Sequence, residues 1–143
     1  MEPQTTSQSA PSTPITILLV EDEQTLQELY FERFTTDGIT VLQAFDGMQA
    51  LEMVEGHPEI QLVLLDLMLP KLSGYDVLNH IKHNPVSSHI PVIIVSALAD
   101  IDDQARGLQM GATDYITKGD MLPSAVIEKI KSYVVSVPRP AAA

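Results

Sequence analysis

Five apolar runs punctuate the chain, and four of them end in a charged or hydroxyl residue. Ile15 to Val20 leads into Glu21 and Asp22, Leu62 to Leu65 into Asp66, Val92 to Val95 into Ser96, and Tyr115 to Thr117 into Lys118. Val41 to Ala44 is a weaker run between the first two. The runs are nearly continuous in Ile, Leu and Val instead of alternating apolar with polar, which is the pattern of strands buried on both faces. Such strands need helices above and below, and the intervening segments supply them. Leu26, Leu29, Tyr30 and Phe34 fall at helical spacing after the first strand, as do Ala50, Leu51 and Val54 after the second.

Local signals bound these helices. Gly38 is the C-cap of the first. Asp46 with Gly47 opens the second, and Gly56 with Pro58 marks its exit. Ser73, three residues before Asp76, has the form of a capping box for a third helix from Gly74 to about His83, with Asn84 and Pro85 as its stop. A fourth helix covers Asp100 to Met110, where Gly107 costs about 1 kcal/mol relative to alanine and makes this the loosest element. Pro123 at a first turn, followed by Val126, Ile127, Ile130, Tyr133 and Val134, gives a fifth. Five strands alternating with five helices predict an α/β fold of three layers with right-handed crossovers.

If the strands are parallel, their charged ends share the carboxyl edge of the sheet, where open α/β sheets bind ligands. That edge carries three carboxylates, a hydroxyl and an ammonium. Glu21 and Asp22 reach one site only if they lie in the turn after the strand, because neighbours on a strand face opposite ways. Carboxylates 4 Å apart repel by about 1 kcal/mol in water and about 4 near a protein surface. Mg²⁺ relieves that strain, taking one or two carboxylates, waters and phosphate oxygens in octahedral coordination. Asp66 ends the central apolar strand and is the candidate nucleophile, since an aspartate can take up a phosphoryl group covalently. Lys118 and Ser96 then receive the phosphoryl oxygens, and positioning with electrostatics supplies most of the catalysis.

Each residue also has a plainer reading. Glu21, Asp22 and Glu23 fit a helix start favoured by the macrodipole. Lys118 fits a surface position, Ser96 a strand end that satisfies local backbone groups, and Tyr115 a packing role. His80 and His83, three apart on a helix with no further ligand beside them, read as a solvated face.

Length and composition narrow the function. At 143 residues and 45% hydrophobic content, the chain fits one folded domain. Eight basic residues against 19 acidic ones give a formal charge of −11, which opposes direct nucleic-acid binding. The absence of cysteine removes disulfide and thiolate chemistry. Residues 1–14, rich in Ser, Thr, Gln and Pro, read as a flexible tail and not a secretory signal, and 138–143 as a second tail. No apolar run approaches the roughly 20 residues that cross a bilayer. The expectation is a cytoplasmic protein with no membrane contact.

Taken together, Val-Glu-Asp-Glu at 20–23, Leu-Leu-Asp-Leu-Met-Leu-Pro at 64–70, Ser-Gly-Tyr at 73–75, Ile-Val-Ser-Ala at 94–97 and Gly-Ala-Thr-Asp-Tyr-Ile-Thr-Lys at 111–118 resemble, in order and spacing, the motifs of CheY-like response-regulator receiver domains. The resemblance extends over about Ile15 to Val137 and puts the domain at 15–137. It implies a flavodoxin-like fold with a five-stranded parallel sheet in the order 2-1-3-4-5. It further implies a single-domain regulator of a two-component system, in which Asp66 accepts phosphate from a phosphohistidine on a histidine kinase or histidine phosphotransfer protein. Glu21 and Asp22 would organise Mg²⁺, with Asp22, Asp66 and the Met68 carbonyl as its protein ligands. Ser96 would turn its hydroxyl to the phosphoryl group, Lys118 would pair with it, and Tyr115 would change rotamer in concert. The fourth helix, fifth strand and fifth helix would form the switched surface, read by a downstream protein, with the chain a monomer or weak homodimer.

Two departures from the family pattern stand out. Gly119 follows Lys118 where the family usually has proline, so the loop there is expected to take another path. Met68 and Leu98 occupy positions that influence how water reaches the aspartyl phosphate; neither can orient a water, so autodephosphorylation should be slow. The chain would be a phosphoacceptor that catalyses its own transfer and not an enzyme with turnover. Two alternatives are a phosphorylation-independent adaptor on the same fold and a Mg²⁺-dependent phosphohydrolase. Enzymes of the latter kind commonly place a second aspartate where this chain has Met68.

Overall fold

The computed structural model describes residues 14–98, 100–120 and 122–136. Strands β1 (Thr16–Val20), β2 (Thr40–Ala44), β3 (Leu62–Leu65), β4 (Val92–Ser96) and β5 (Asp114–Thr117) alternate with helices α1 (Gln24–Thr36), α2 (Gly47–Gly56), α3 (Gly74–His83), α4 (Ile101–Gln109) and α5 (Pro123–Ser136). All strand pairs are parallel, in the order β2-β1-β3-β4-β5. The expected fold class and strand order are therefore observed. The two expected tails fall almost wholly outside the described residues.

Alternate residues of the central strands feed two separate cores. Leu18, Val20, Val63, Leu65, Val92 and Ile94 face one side, where α2 and α3 contribute Ala50, Val54, Val77, Leu78 and Ile81. Ile17, Leu19, Leu62, Leu64, Ile93 and Val95 face the other, where α1 and α5 contribute Tyr30, Phe34, Val126, Ile127 and Ile130. This explains the unbroken apolar runs, because both faces of β3 and β4 are covered. Edge strands β2 and β5 are only partly buried, which accounts for the weaker apolar run at β2.

Most helix boundaries follow the local signals. Asp46 accepts the Gln49 N–H at 2.8 Å and caps α2, and Ser73 accepts the Asp76 N–H at 3.2 Å and caps α3. Gly38 lies one residue past its expected place: Asp37 is the cap of α1, and Gly38 follows with φ +87°. Gly38 N–H donates to the Thr35 carbonyl and Ile39 N–H to the Phe34 carbonyl, both at 3.0 Å, which forms a Schellman closure.

Two expectations change. Leu29 is 51% exposed, while Gln27 takes its place in the buried stripe of α1 with Tyr30 and Phe34. Gly107 is more than a weak point in α4. A Cβ there would stand 2.5 Å from Ile94 Cδ1, so the missing side chain lets the helix approach the sheet.

Candidate functional site

The carboxyl ends of β1, β3, β4 and β5 gather the predicted residues. β1 ends at Val20, so Glu21, Asp22 and Glu23 occupy the turn into α1, as convergence requires. Oxygens of Glu21, Asp22 and Asp66 lie within 4.8 Å of one another. Glu21 and Asp66 are buried and Asp22 is exposed, so the cluster opens to solvent on the Asp22 side.

Lys118 comes from the far side of the sheet. It follows β5 and reaches past the end of β4, with Nζ 2.9 Å from Glu21 Oε1 and 3.0 Å from Asp66 Oδ2. The remaining oxygens are also held. Glu21 Oε2 accepts the Glu23 N–H, and Asp66 Oδ1 accepts the Met68 N–H, both at 3.1 Å. Burial pulls the Lys118 ammonium down, but its bonds to the two carboxylates outweigh this and hold it above the ordinary lysine value. Glu21 nevertheless sits above the ordinary carboxylate value. Burial raises it, the Asp66 charge adds to that, and the lysine it shares with Asp66 only partly offsets both. One ammonium among three carboxylates leaves the cluster short of positive charge, and its all-oxygen donors suit a hard divalent cation.

Ser96 ends β4 with no exposed surface. Its Oγ accepts the Leu98 N–H at 3.1 Å, while the Tyr115 hydroxyl donates to the Leu98 carbonyl at 2.7 Å. The two residues expected to switch thus grip one residue of the β4–α4 loop from either side. Burial raises the Tyr115 phenol above its ordinary value, and the neighbouring Ser96 hydroxyl only partly offsets this. The Met68 side chain is 58% exposed beside the cluster, and Leu98 is partly buried.

Packing fixes Asp66 from below. A Cβ on Gly74 would collide with the Asp66 carbonyl and the Leu67 Cα, so only glycine lets α3 begin this close to the end of β3. The Gly74 N–H donates to the Leu67 carbonyl at 2.8 Å. Gly119 follows Lys118 in a 3-10 turn (Lys118–Asp120), and there is no cis peptide bond among the described residues.

Sequence reasoning missed two contributors. Lys71, with φ +72°, pairs with Asp46 at 3.3 Å and ties the β3–α3 loop to the start of α2. Gln27 donates to carbonyls at the ends of β1 and β2; a polar residue in register with Tyr30 and Phe34 was its available signal. His80 and His83 are exposed on α3 and stand outside the cluster.

A family model of the response regulator receiver domain matches residues 17–131. A probable cyclic di-GMP phosphodiesterase of Vibrio cholerae is 38% identical over 108 residues, 76% of this chain and 24% of that protein. The chain spans 24% to 51% of the length of the curated relatives it matches. Among solved structures, the Francisella response regulator 1452 receiver domain superposes with a TM-score of 0.81 at 26% identity, covering 87% of this chain and 99% of that one. The Mn²⁺-bound form of response regulator Rcp1 gives 0.74 at 30% identity, covering 90% and 100%.

Proposed function

Because the chain belongs to the response regulator receiver family, we propose that Asp66 is its phosphoacceptor and that the unit at 15–137 is a phosphorylation-driven switch. One observation carries this reading. Carboxylates from two separate turns converge on a lysine that arrives from a third. The donor is a phosphohistidine on a histidine kinase or phosphotransfer protein. An Asp66 carboxylate oxygen forms the new P–O bond as the P–N bond breaks, and the histidine leaves as imidazole.

Asp22, Asp66 and the Met68 carbonyl, with Glu21 behind them, would hold Mg²⁺. When bound, the cation neutralises charge on the transferring phosphoryl oxygens. That the related response regulator Rcp1 has a Mn²⁺-bound form supports divalent-cation binding by this chain. Lys118 pairs with the phosphoryl group while still held by Glu21. The Ser96 hydroxyl turns from the Leu98 N–H to a phosphoryl oxygen, which loosens one of the two grips on that loop. Tyr115 releases the other as it changes rotamer, and the surface of α4, β5 and α5 shifts towards its signalling state. A downstream protein reads that surface. The strongly acidic chain has no direct role at nucleic acid. Among the described residues no helix is long and apolar enough to cross a membrane, and we place the protein in the cytoplasm.

The test is incubation with acetyl phosphate and Mg²⁺, followed by intact-mass measurement. The wild type gains one labile phosphoryl group and Asp66→Ala gains none. Incorporation that persists in Asp66→Ala, or fails in the wild type, refutes the assignment. Rapid turnover of small phosphomonoesters would favour the phosphohydrolase instead.

A further inference from the structure

We infer that Gln27 is a positioning residue for the acidic turn: its carboxamide sets the backbone course at Glu21, and through it the affinity of the Glu21, Asp22 and Asp66 cluster for Mg²⁺. This rests on reading that cluster as the metal site. Gln27 has no exposed surface, although it lies on the apolar face of α1. A buried carboxamide persists in such a place only if its polar atoms are satisfied. Here they are. Nε2 donates to the carbonyls of Leu19 and Glu21, each at 3.1 Å, and of Ala44 at 2.8 Å, so two hydrogens serve three acceptors. Oε1 accepts from Gln43 Nε2 at 3.1 Å.

The three carbonyls mark where β1 and β2 part. The last paired residues are Val20 and Ala44, and one further rung joins the Glu21 N–H to the Ala44 carbonyl at 3.1 Å. Beyond that rung the chain leaves the sheet for α1, and the Glu21 carbonyl is taken up by Gln27. The same residue has its carboxylate fixed by Lys118 on one oxygen and the Glu23 N–H on the other. Glu21 is therefore held at the carbonyl by Gln27 and at the carboxylate by the site. Without the carboxamide, the Glu21 carbonyl loses its donor, while the Ala44 carbonyl keeps only the Glu21 N–H. The turn must shift to find water, and it carries Glu21 and Asp22 with it. Partners that orient metal ligands from behind act on affinity in this way.

Gln27→Met keeps the length of the side chain and removes both donors. Mg²⁺ binding measured by titration calorimetry, under conditions where circular dichroism shows each protein fully folded, should be about tenfold weaker than in the wild type. A control that loosens the far side of the core, Val134→Ala, should bind Mg²⁺ as the wild type does, because lost stability alone does not change affinity in a folded protein. Without metal, hydrogen exchange of the Glu21 amide should accelerate in Gln27→Met and stay unchanged in the control. Gln43→Leu, on the edge strand, frees Oε1 and should produce smaller changes in the same direction; it serves as the test if Gln27→Met does not fold. Wild-type affinity and wild-type Glu21 exchange in the variant overturn the proposal. If the wild type itself binds no Mg²⁺, the metal-site reading fails and takes the affinity claim with it.

Discussion

Lys118→Met removes an ammonium shared by two buried carboxylates while leaving most of the side-chain length. The contacts of 2.9 and 3.0 Å would each be worth about 5 to 6 kcal/mol at an effective dielectric of 20. Desolvation of several kcal/mol per ion takes back much of that, and breaking a buried pair by deleting one partner costs about 3–5 kcal/mol. Lys118 keeps 21% of its side chain exposed, so solvent screens the pair and the lower end, about 3 kcal/mol, is expected. Against a typical stability of about 5–15 kcal/mol, the variant still folds. With a urea slope of about 1–3 kcal/mol per molar, its midpoint in EDTA should fall by roughly 1–3 M. Mg²⁺ should then recover more stability in the variant than it adds to the wild type, because the carboxylates no longer share their charge with an ammonium. Urea unfolding followed by far-ultraviolet circular dichroism, with and without Mg²⁺, measures both effects. Coincident midpoints in EDTA, or equal gains from Mg²⁺, would refute the charge-shortage argument.

Other expectations follow from the same geometry. Gly74→Ala drives a methyl group into the backbone of Asp66 and Leu67, which cannot yield as a flexible side chain would, so it should cost about 1–3 kcal/mol and slow phosphoryl uptake. Both are read from urea midpoints and acetyl phosphate labelling. The phosphorylated protein should lose its label slowly, because apolar Met68 and Leu98 cannot orient a water; a phosphoryl half-life of seconds in purified protein would contradict this. Burial opposes ionisation of Asp114, but Lys129, the Tyr115 N–H and the Tyr133 hydroxyl outweigh it and hold the carboxyl below its ordinary value. Its contribution is therefore complete above the unfolded aspartate range and is lost as pH falls through the lower folded value. Asp114→Asn should be less stable than the wild type at neutral pH, and the difference should shrink with acidification; a gap independent of pH would show that the ion pairing contributes nothing.

The parts of this molecule that depend on periodicity were legible before any coordinates. Unbroken apolar runs announced β1, β3 and β4, since a strand covered on both faces has no polar position to interrupt it. Asp66, Ser96 and Lys118 stood out because they terminate such runs. Less legible was anything set by the meeting of two distant segments. Leu29 and Gln27 both fit a helical stripe, and the apolar residue was the natural choice. The choice reversed because the Glu21 carbonyl, where β1 and β2 part, needs a donor, and a polar residue in register with Tyr30 and Phe34 was the one local hint of that need. Gly107 likewise reads as a flaw in a helix until Ile94 is placed beneath it. The Asp46–Lys71 pair joins two loops whose proximity only the packed α2–α3 layer creates.

Gly107 has a further consequence for how this fold can move. A Cβ there would also stand 3.5 Å from Tyr115 Cδ2, so bare helix backbone lies over an aliphatic tip and the edge of an aromatic ring. An ordinary side chain would have acted as a spacer and kept the helix at one height whatever lay below. Without one, α4 takes its seat from the ring itself: if Tyr115 swings away as proposed, it would uncover a hollow directly under the helix, and the cheapest way to fill that hollow would be for α4 to sink or slide.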